Sequence, residues 1–269
     1  MNKFFLTLCL IMSGVMVIGV GNRNNDLNQF VETGKCIDCD LSCRDLYETI
    51  QNLVKSNKRI DLSGANLSYS NMSGTDLLKA NLSKANLSYT DLSLTNLSGA
   101  DLSDTNLSNA DLSLSNLSQS DLSYANLSRT NLSNSNLTGA TLNGVIWFNT
   151  RLSGANLSNL FLPRVKWSNL NLSGVDLSGT DLCEADLSGA SLIGADLTKA
   201  HMPMINCSKA DLCGADLTGA YAMRAVFFKS DLSNVILRGT IMTETNLSGA
   251  GLIGAFTDGE TRWVNSNIT

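Results

Sequence analysis

The sequence predicts an all-β fold, a solenoid of very short strands stacked on one another. Three observations lead there. From Ile60 to Leu252 the chain keeps a five-residue beat with no insertion or deletion. Within each unit two small or apolar residues sit two apart, as Ala100 and Leu102 do, and residues two apart on an extended chain point the same way. The other three residues are mostly Asp, Asn, Ser, Thr, Gly or Lys, which favour turns and solvent.

Each unit therefore reads as a short strand with an inward pair, followed by a corner. A period of five fits neither the 3.6 of a helix nor the alternation of a long strand, and it would walk the Leu side chains around a helix. The Asn and Ser content also opposes helix interiors. No unit can bury its Leu alone, so neighbours must complete the core. About forty Leu-like positions, each contributing roughly 1.5–3 kcal/mol when buried, can offset the cost of ordering such a stack. Backbone groups then bond to the coils above and below.

The pure unit is Ala-(Asp/Asn)-Leu-Ser-x, as in Ala65-Asn66-Leu67-Ser68-Tyr69, Ala85-Asn86-Leu87-Ser88-Tyr89 and Ala215-Asp216-Leu217-Thr218-Gly219. In these units the chain resembles the pentapeptide-repeat family. The resemblance implies a right-handed quadrilateral parallel β-helix with four pentads per coil and the Leu and Ala positions inside. At a strand spacing of about 4.8 Å it implies a rod of about ten coils, roughly 48 Å long. The expected organisation is a signal peptide over 1–21, an N-terminal cap over 22–59, the β-helix over 60–254 and a C-terminal cap or tail over 255–269.

Before the repeat, Met1-Asn2-Lys3 and the apolar run from Phe4 to Val20 read as a cleavable secretory signal, with Gly19-Val20-Gly21 as the small-residue cleavage region. That run is short for a membrane span. Export to the periplasm or medium is the expected localisation, with no membrane contact after cleavage; an uncleaved anchor is the alternative. Asp26 is placed to cap a short helix bearing Leu27, Phe30 and Val31 on one face. From Arg44 to Ser56 the pattern admits either opening pentads or a helix with Leu46, Ile50, Leu53 and Val54 on one side. Either covers the open end of the stack, and Trp263 and Val264 are expected to fold over the other end.

Cys36 and Cys39 form a CxxC pair. A zinc site would need more ligands than Cys43 can complete, and the strand-to-helix context of a redox dithiol is missing. A cap disulfide or packed thiol pair is expected. His201, the one histidine, takes an outward Asp/Asn position. With one His and no phosphate-binding loop, no catalytic, metal or cofactor constellation can be assembled. The Asp residues occur wherever the repeat demands Asp or Asn, so a glycosidase-like pair is not indicated. A non-enzyme without cofactors is the expectation.

Departures from the repeat cluster after about residue 140. With residues twenty apart stacked, Trp147, Trp167 and Phe227 face inward, and Ile146, Phe148, Val226 and Phe228 face outward. On the adjoining face Phe161, Asp181, His201, Tyr221 and Ile241 share a column. Together with Arg164, Lys166, Lys209 and Lys229 they suggest an apolar, basic-edged strip suited to a protein partner or to self-association. Local adjustment around the large inward side chains is the competing account.

The purer half is acidic: no Lys or Arg occurs between Lys84 and Arg129, and Asp91 should stack with Asp111, Asp101 with Asp121. The formal net charge of −5 opposes direct binding to nucleic acid. Three functions follow: an exported interaction scaffold; a DNA mimic acting on gyrase or topoisomerase, as in the fluoroquinolone-resistance branch of the family; and a secreted effector acting in a host cell.

Overall fold

The computed structural model describes residues 23–267; the expected signal segment lies outside them. They divide into two compact units. The first comprises the described residues up to Asn131 together with Ala140–Phe148, and the second Leu132–Gly139 together with the described residues from Asn149 onward.

One pentad of the first unit shows what the beat builds. Asp91 N–H donates to Ser70 O at 3.0 Å, Leu92 N–H to Asp111 O at 2.7 Å and Leu94 N–H to Ser113 O at 3.0 Å. Thr95 N–H closes the corner on Leu92 O at 3.3 Å. The fifth donor, Ser93 N–H, meets no carbonyl; it bonds to Asp91 Oδ1 at 3.0 Å. All five backbone donors are thus satisfied, and the Asp/Asn position supplies the one acceptor the backbone ladder lacks. Either residue offers that oxygen, which is why the repeat exchanges them freely. The residue after the Ser turns the corner with positive φ, as at Leu94 (φ 58) and Gly99 (φ 63).

Parallel pairing then runs at twenty-residue intervals on four sides. In the first unit the columns are Asp61–Asn81–Asp101–Asp121–Thr141, Asn66–Asn86–Asn106–Asn126–Ile146, Asn71–Asp91–Asp111–Asn131 and Asp76–Asn96–Asn116. Inside, Leu67, Leu77, Leu87 and Leu97 are fully buried. The other inward position alternates Ala with Ser or Thr, whose hydroxyls turn back on the main chain: Thr75 Oγ1 donates to Met72 O at 2.7 Å and Thr90 Oγ1 to Leu67 O at 2.9 Å. A buried hydroxyl is tolerated because it bonds to a main-chain carbonyl of its own corner or of the preceding coil.

The beat begins earlier than Ile60. Lys35, Asp40 and Asp45 pair with Asp61, Asn66 and Asn71, 26 residues on. The first coil has three pentad-like sides, and the helix Tyr47–Lys55 stands in place of the fourth, which accounts for the longer interval. Both readings of residues 44–56 are therefore partly right: Asp45 is on the ladder, and Ile50 and Leu53 pack inward from the helix.

We label the helix Arg23–Thr33 α1 and the helix Tyr47–Lys55 α2. Asp26 is not the cap of α1, which starts three residues sooner; its carboxylate accepts from Asp40 N–H at 2.9 Å and so ties α1 to the first coil. Of the expected apolar face, Phe30 is buried, Leu27 half-buried and Val31 exposed. Lys58 Nζ caps the other end of α1, donating to the carbonyls of Val31 and Glu32. The structure joins Cys36 to Cys39 as a disulfide with Cα atoms 5.5 Å apart.

The second unit repeats the arrangement. Its columns are Asn136–Asn156–Asp176–Asp196–Asp216–Ile236–Phe256, Arg151–Asn171–Ser191–Asp211–Asp231–Gly251, Phe161–Asp181–His201–Tyr221–Ile241 and Lys166–Asp186–Asn206–Val226–Asn246. Pairing continues to Arg262 and Asn267 after one inserted residue. Asp258 closes that enlarged corner, accepting from the N–H groups of Gly239, Glu260 and Thr261 at 3.0 Å each. Trp263 and Val264 do not fold over the end. Trp263 follows Arg262 at an inward position and is half-buried, whereas Val264 turns a corner and is 60% exposed.

Candidate functional site

The site residues expected from the sequence fall into both units. Ile146 and Phe148 belong to the first, 52% and 61% exposed. Phe161, Arg164, Lys166, His201, Tyr221, Val226 and Phe228 belong to the second.

In the second unit the parallel ladder brings Phe161, Asp181, His201 and Tyr221 into one column. Phe161 is 71% exposed. His201 Nδ1 lies 3.4 Å from Asp181 Oδ1, and its ring stacks on Tyr221 with centroids 5.3 Å apart and planes 7° from parallel. Tyr221 Oη donates to Met223 Sδ at 3.3 Å. Because the coils rise in register, one outward residue per coil is presented in line, and three aromatic rings replace residues that elsewhere are Asp or Asn.

At the corner beside this column one residue of the expected basic edge, Arg164, is paired. Arg164 makes a bidentate pair with Glu184, Nε–Oε2 2.9 Å and Nη2–Oε1 3.2 Å. Arg224 Nε pairs with Glu244 Oε2 at 2.7 Å. Hydrogen bonding and charge from Glu184 raise the Arg164 pKa, and the same contact holds Glu184 below the usual carboxylate range. Both pairs are exposed, so each contributes little to stability.

On the neighbouring side Lys166, Asp186, Asn206 and Val226 share a column, with Asn206 Nδ2 donating to Asp186 Oδ1 at 3.1 Å. Phe228 is half-buried, and Lys229 Nζ sits 5.1 Å from its ring centroid. Directly inside, Trp167 and Phe227 are fully buried. Burial pushes the Cys207 thiol pKa far up; it is a core residue. Cys183 is also raised, by desolvation first and then by the Glu184 and Asp181 charges.

Sequence reasoning missed the corners of the first unit. Tyr69 and Tyr89 stack with centroids 4.7 Å apart, and Leu94 and Leu114 are 63% and 56% exposed. The available signal was an apolar residue at the variable fifth position recurring twenty residues on. Asp91–Asp111 and Asp101–Asp121 do stack as expected, yet each of these carboxylates also accepts the corner N–H two residues ahead. Beside α2 a hollow of about 550 Å³ is lined by Val54, Lys58, Arg59, Asp76, Leu78 and Lys79 among others. Among the described residues no group of three His, Cys, Asp or Glu is arranged to hold a metal ion, and no helix is long and apolar enough to cross a membrane.

The family model for pentapeptide repeats matches eight stretches that together cover residues 60–256. No curated protein matches the chain. Among solved structures it is similar to HetL, a pentapeptide repeat protein involved in heterocyst differentiation regulation in the cyanobacterium Nostoc sp. strain PCC 7120. There the identity is 29%, over 86% of this chain and 89% of that one, at a TM-score of 0.28. A pentapeptide repeat protein of the Arabidopsis thaliana thylakoid lumen is 31% identical over 36% of this chain and 65% of its own, with a TM-score of 0.33. Trypsin-treated QnrB1, a plasmid-mediated fluoroquinolone resistance protein, is 16% identical over 84% and 90%, with a TM-score of 0.42. With the family's repeat matched over most of its length and the twenty-residue ladder built from it, this chain belongs to the pentapeptide-repeat family, whose fold is the right-handed quadrilateral β-helix.

Proposed function

We propose that the protein is an exported, non-enzymatic scaffold that binds another protein through the flat sides of its β-helix. The observation that carries this is the column Phe161, His201 and Tyr221, where exposed or part-exposed rings stand at positions the repeat otherwise gives to Asp or Asn. Apolar side chains presented outward in register suit a protein surface. The export reading rests on residues 1–21, and an oxidised Cys36–Cys39 pair is consistent with an oxidising compartment.

The test combines location with partner retention. Fractionation of the native host, with determination of the mature N-terminal residue, is expected to give a chain starting near Asn22 outside the cytoplasm. Alkylation without reductant should leave Cys36 and Cys39 unlabelled. Phe161→Ala and Tyr221→Ala should lose a partner that the wild-type chain retains. A full-length chain in the cytosol, or wild-type partner recovery by both variants, overturns the reading.

A second reading, a DNA mimic acting on gyrase or topoisomerase, is favoured by the stacked Asp91–Asp111 and Asp101–Asp121 pairs. It predicts inhibition or protection of gyrase in a supercoiling assay with the purified chain. A secreted effector would use the same surfaces and is separated by an assay of host-cell contact.

A further inference from the structure

One side of the first unit carries Asn71, Asp91, Asp111 and Asn131 in a single column. Large side chains line it on both edges. Tyr69 and Tyr89 stand at the corner before it, their rings 4.7 Å apart, and Leu94 and Leu114 at the corner after it. All four have left-handed φ of 58–59°. A Leu in that conformation, more than half exposed, is a costly choice for the chain alone, since Gly or Asn turns the same corner more easily. Gly99 and Asn109 do so in the same unit. The leucines are better accounted for by something that covers them.

The charge of this side limits what that is. Its column carries Asp91 and Asp111, and no Lys or Arg stands in it or at its corners from Tyr69 to Leu114. Asp91 and Asp111 hold their corners through Oδ1, so their charge stays on the face. A covering surface must therefore be apolar and basic.

The second unit presents such a surface. Lys209 and Lys229 are exposed at one corner on successive coils, Lys209 N–H donating to Phe228 O at 2.8 Å. Val226 and Phe228 lie beside them, part-exposed. Unlike Arg164 and Arg224, neither lysine takes part in an ion pair among the described residues. The spacing also matches. Asp91 and Asp111 are one coil apart, as are Lys209 and Lys229, and strand pairing sets both intervals to about 4.8 Å. Two carboxylates and two ammonium groups can therefore meet in one register while Val226 and Phe228, on the coil of Lys229, cover one of the two leucines.

We propose that this chain associates with a second copy of itself, the acidic, leucine-edged side of one copy's first unit receiving the Lys209–Lys229 side of the other's second unit. The contact is heterologous, so each copy keeps one unused surface of each kind and association can propagate. The inference rests on the scaffold reading and names its partner as the chain itself.

Sedimentation velocity on the full mature chain tests it. Wild type is expected to self-associate, and less so at high salt. Asp91→Lys with Asp111→Lys should weaken association at least about tenfold, and Lys209→Glu with Lys229→Glu should do the same. Each double variant should keep the wild-type circular dichroism spectrum. The decisive step mixes the two variants: each supplies the charge the other now needs, so association should return. A monomeric wild type, or two inactive variants that stay monomeric when mixed, overturns the proposal. If a monomeric wild type still holds a different protein, lost in D91K/D111K, the scaffold reading stands and self-association falls. If no protein is retained through either unit, both fall.

Discussion

Tyr124 lies against Gly144 of the next coil, so closely that a Cβ added to Gly144 would come 2.5 Å from Cδ1 of the tyrosine ring. Both residues turn corners with left-handed φ, 61° at Tyr124 and 68° at Gly144. The glycine thus makes room for a side chain as well as for a turn. Tyr124 is 66% exposed, so its ring can swing into solvent. Gly144→Ala is expected to cost about 1 kcal/mol, mostly from the backbone conformation. Chemical denaturation of G144A, Y124A and the double variant checks this; coupling above about 1 kcal/mol would show that the ring is held in place.

The Asp/Asn position should matter as an acceptor, not as a charge. Asp91→Asn keeps an oxygen for Ser93 N–H and is expected to change stability by less than about 0.5 kcal/mol. Asp91→Ala leaves that N–H without its acceptor and should cost about 1–2 kcal/mol. Equal losses in the two variants would contradict the role assigned to the corner bond.

Inward and outward aromatics should separate cleanly. Trp167, fully buried, is expected to cost about 3–5 kcal/mol as Trp167→Ala. Phe161, 71% exposed, should cost less than about 0.5 kcal/mol as Phe161→Ala while weakening partner retention. Thermal denaturation alongside a pull-down reads both.

Acid should loosen the corner at Asp258. Asp258 is held below the usual carboxylate range chiefly by the Gly239 N–H, with further bonds from Thr261 and Glu260. A lowered folded-state pKa means the carboxylate's contribution is present above the ordinary carboxylate pKa of about 4 and is lost as pH falls through the folded value. Hydrogen exchange at Gly239 and across residues 256–262 should therefore quicken as pH drops below about 4, after correction for the intrinsic rate. Asp258→Asn, which keeps an acceptor but does not titrate, should remove that pH dependence. An unchanged profile in D258N would refute the assignment.

Much of the second unit's candidate surface is legible in the sequence, because a twenty-residue repeat converts sequence spacing directly into stacking. Counting alone places Phe161, His201 and Tyr221 in one column. The charge state of its edge is not legible in that way, since the Arg164–Glu184 and Arg224–Glu244 pairs join long side chains on successive coils whose reach depends on rotamers. The Leu94–Leu114 and Tyr69–Tyr89 corners escape a reading of the sequence for another reason. A fifth-position residue looks like a turn residue until the coil above and the exposure of the side chain are known.

The sequence by itself determined the inward and outward sides of the pentads from residue 60 to 252, because a fixed period with Leu at one position has a single way to bury that Leu. It also determined that Asp or Asn should recur beside it, although not why. The tertiary structure decided what the beat leaves unspecified. It extended the ladder back to Lys35 by setting α2 in place of a pentad side, and forward to Asn267 through the enlarged corner at Asp258. It also divided the described residues into two units. At α2 and at the Asp258 corner the five-residue spacing breaks. Periodicity carries no information there, and hydrogen bonding between coils settles the outcome.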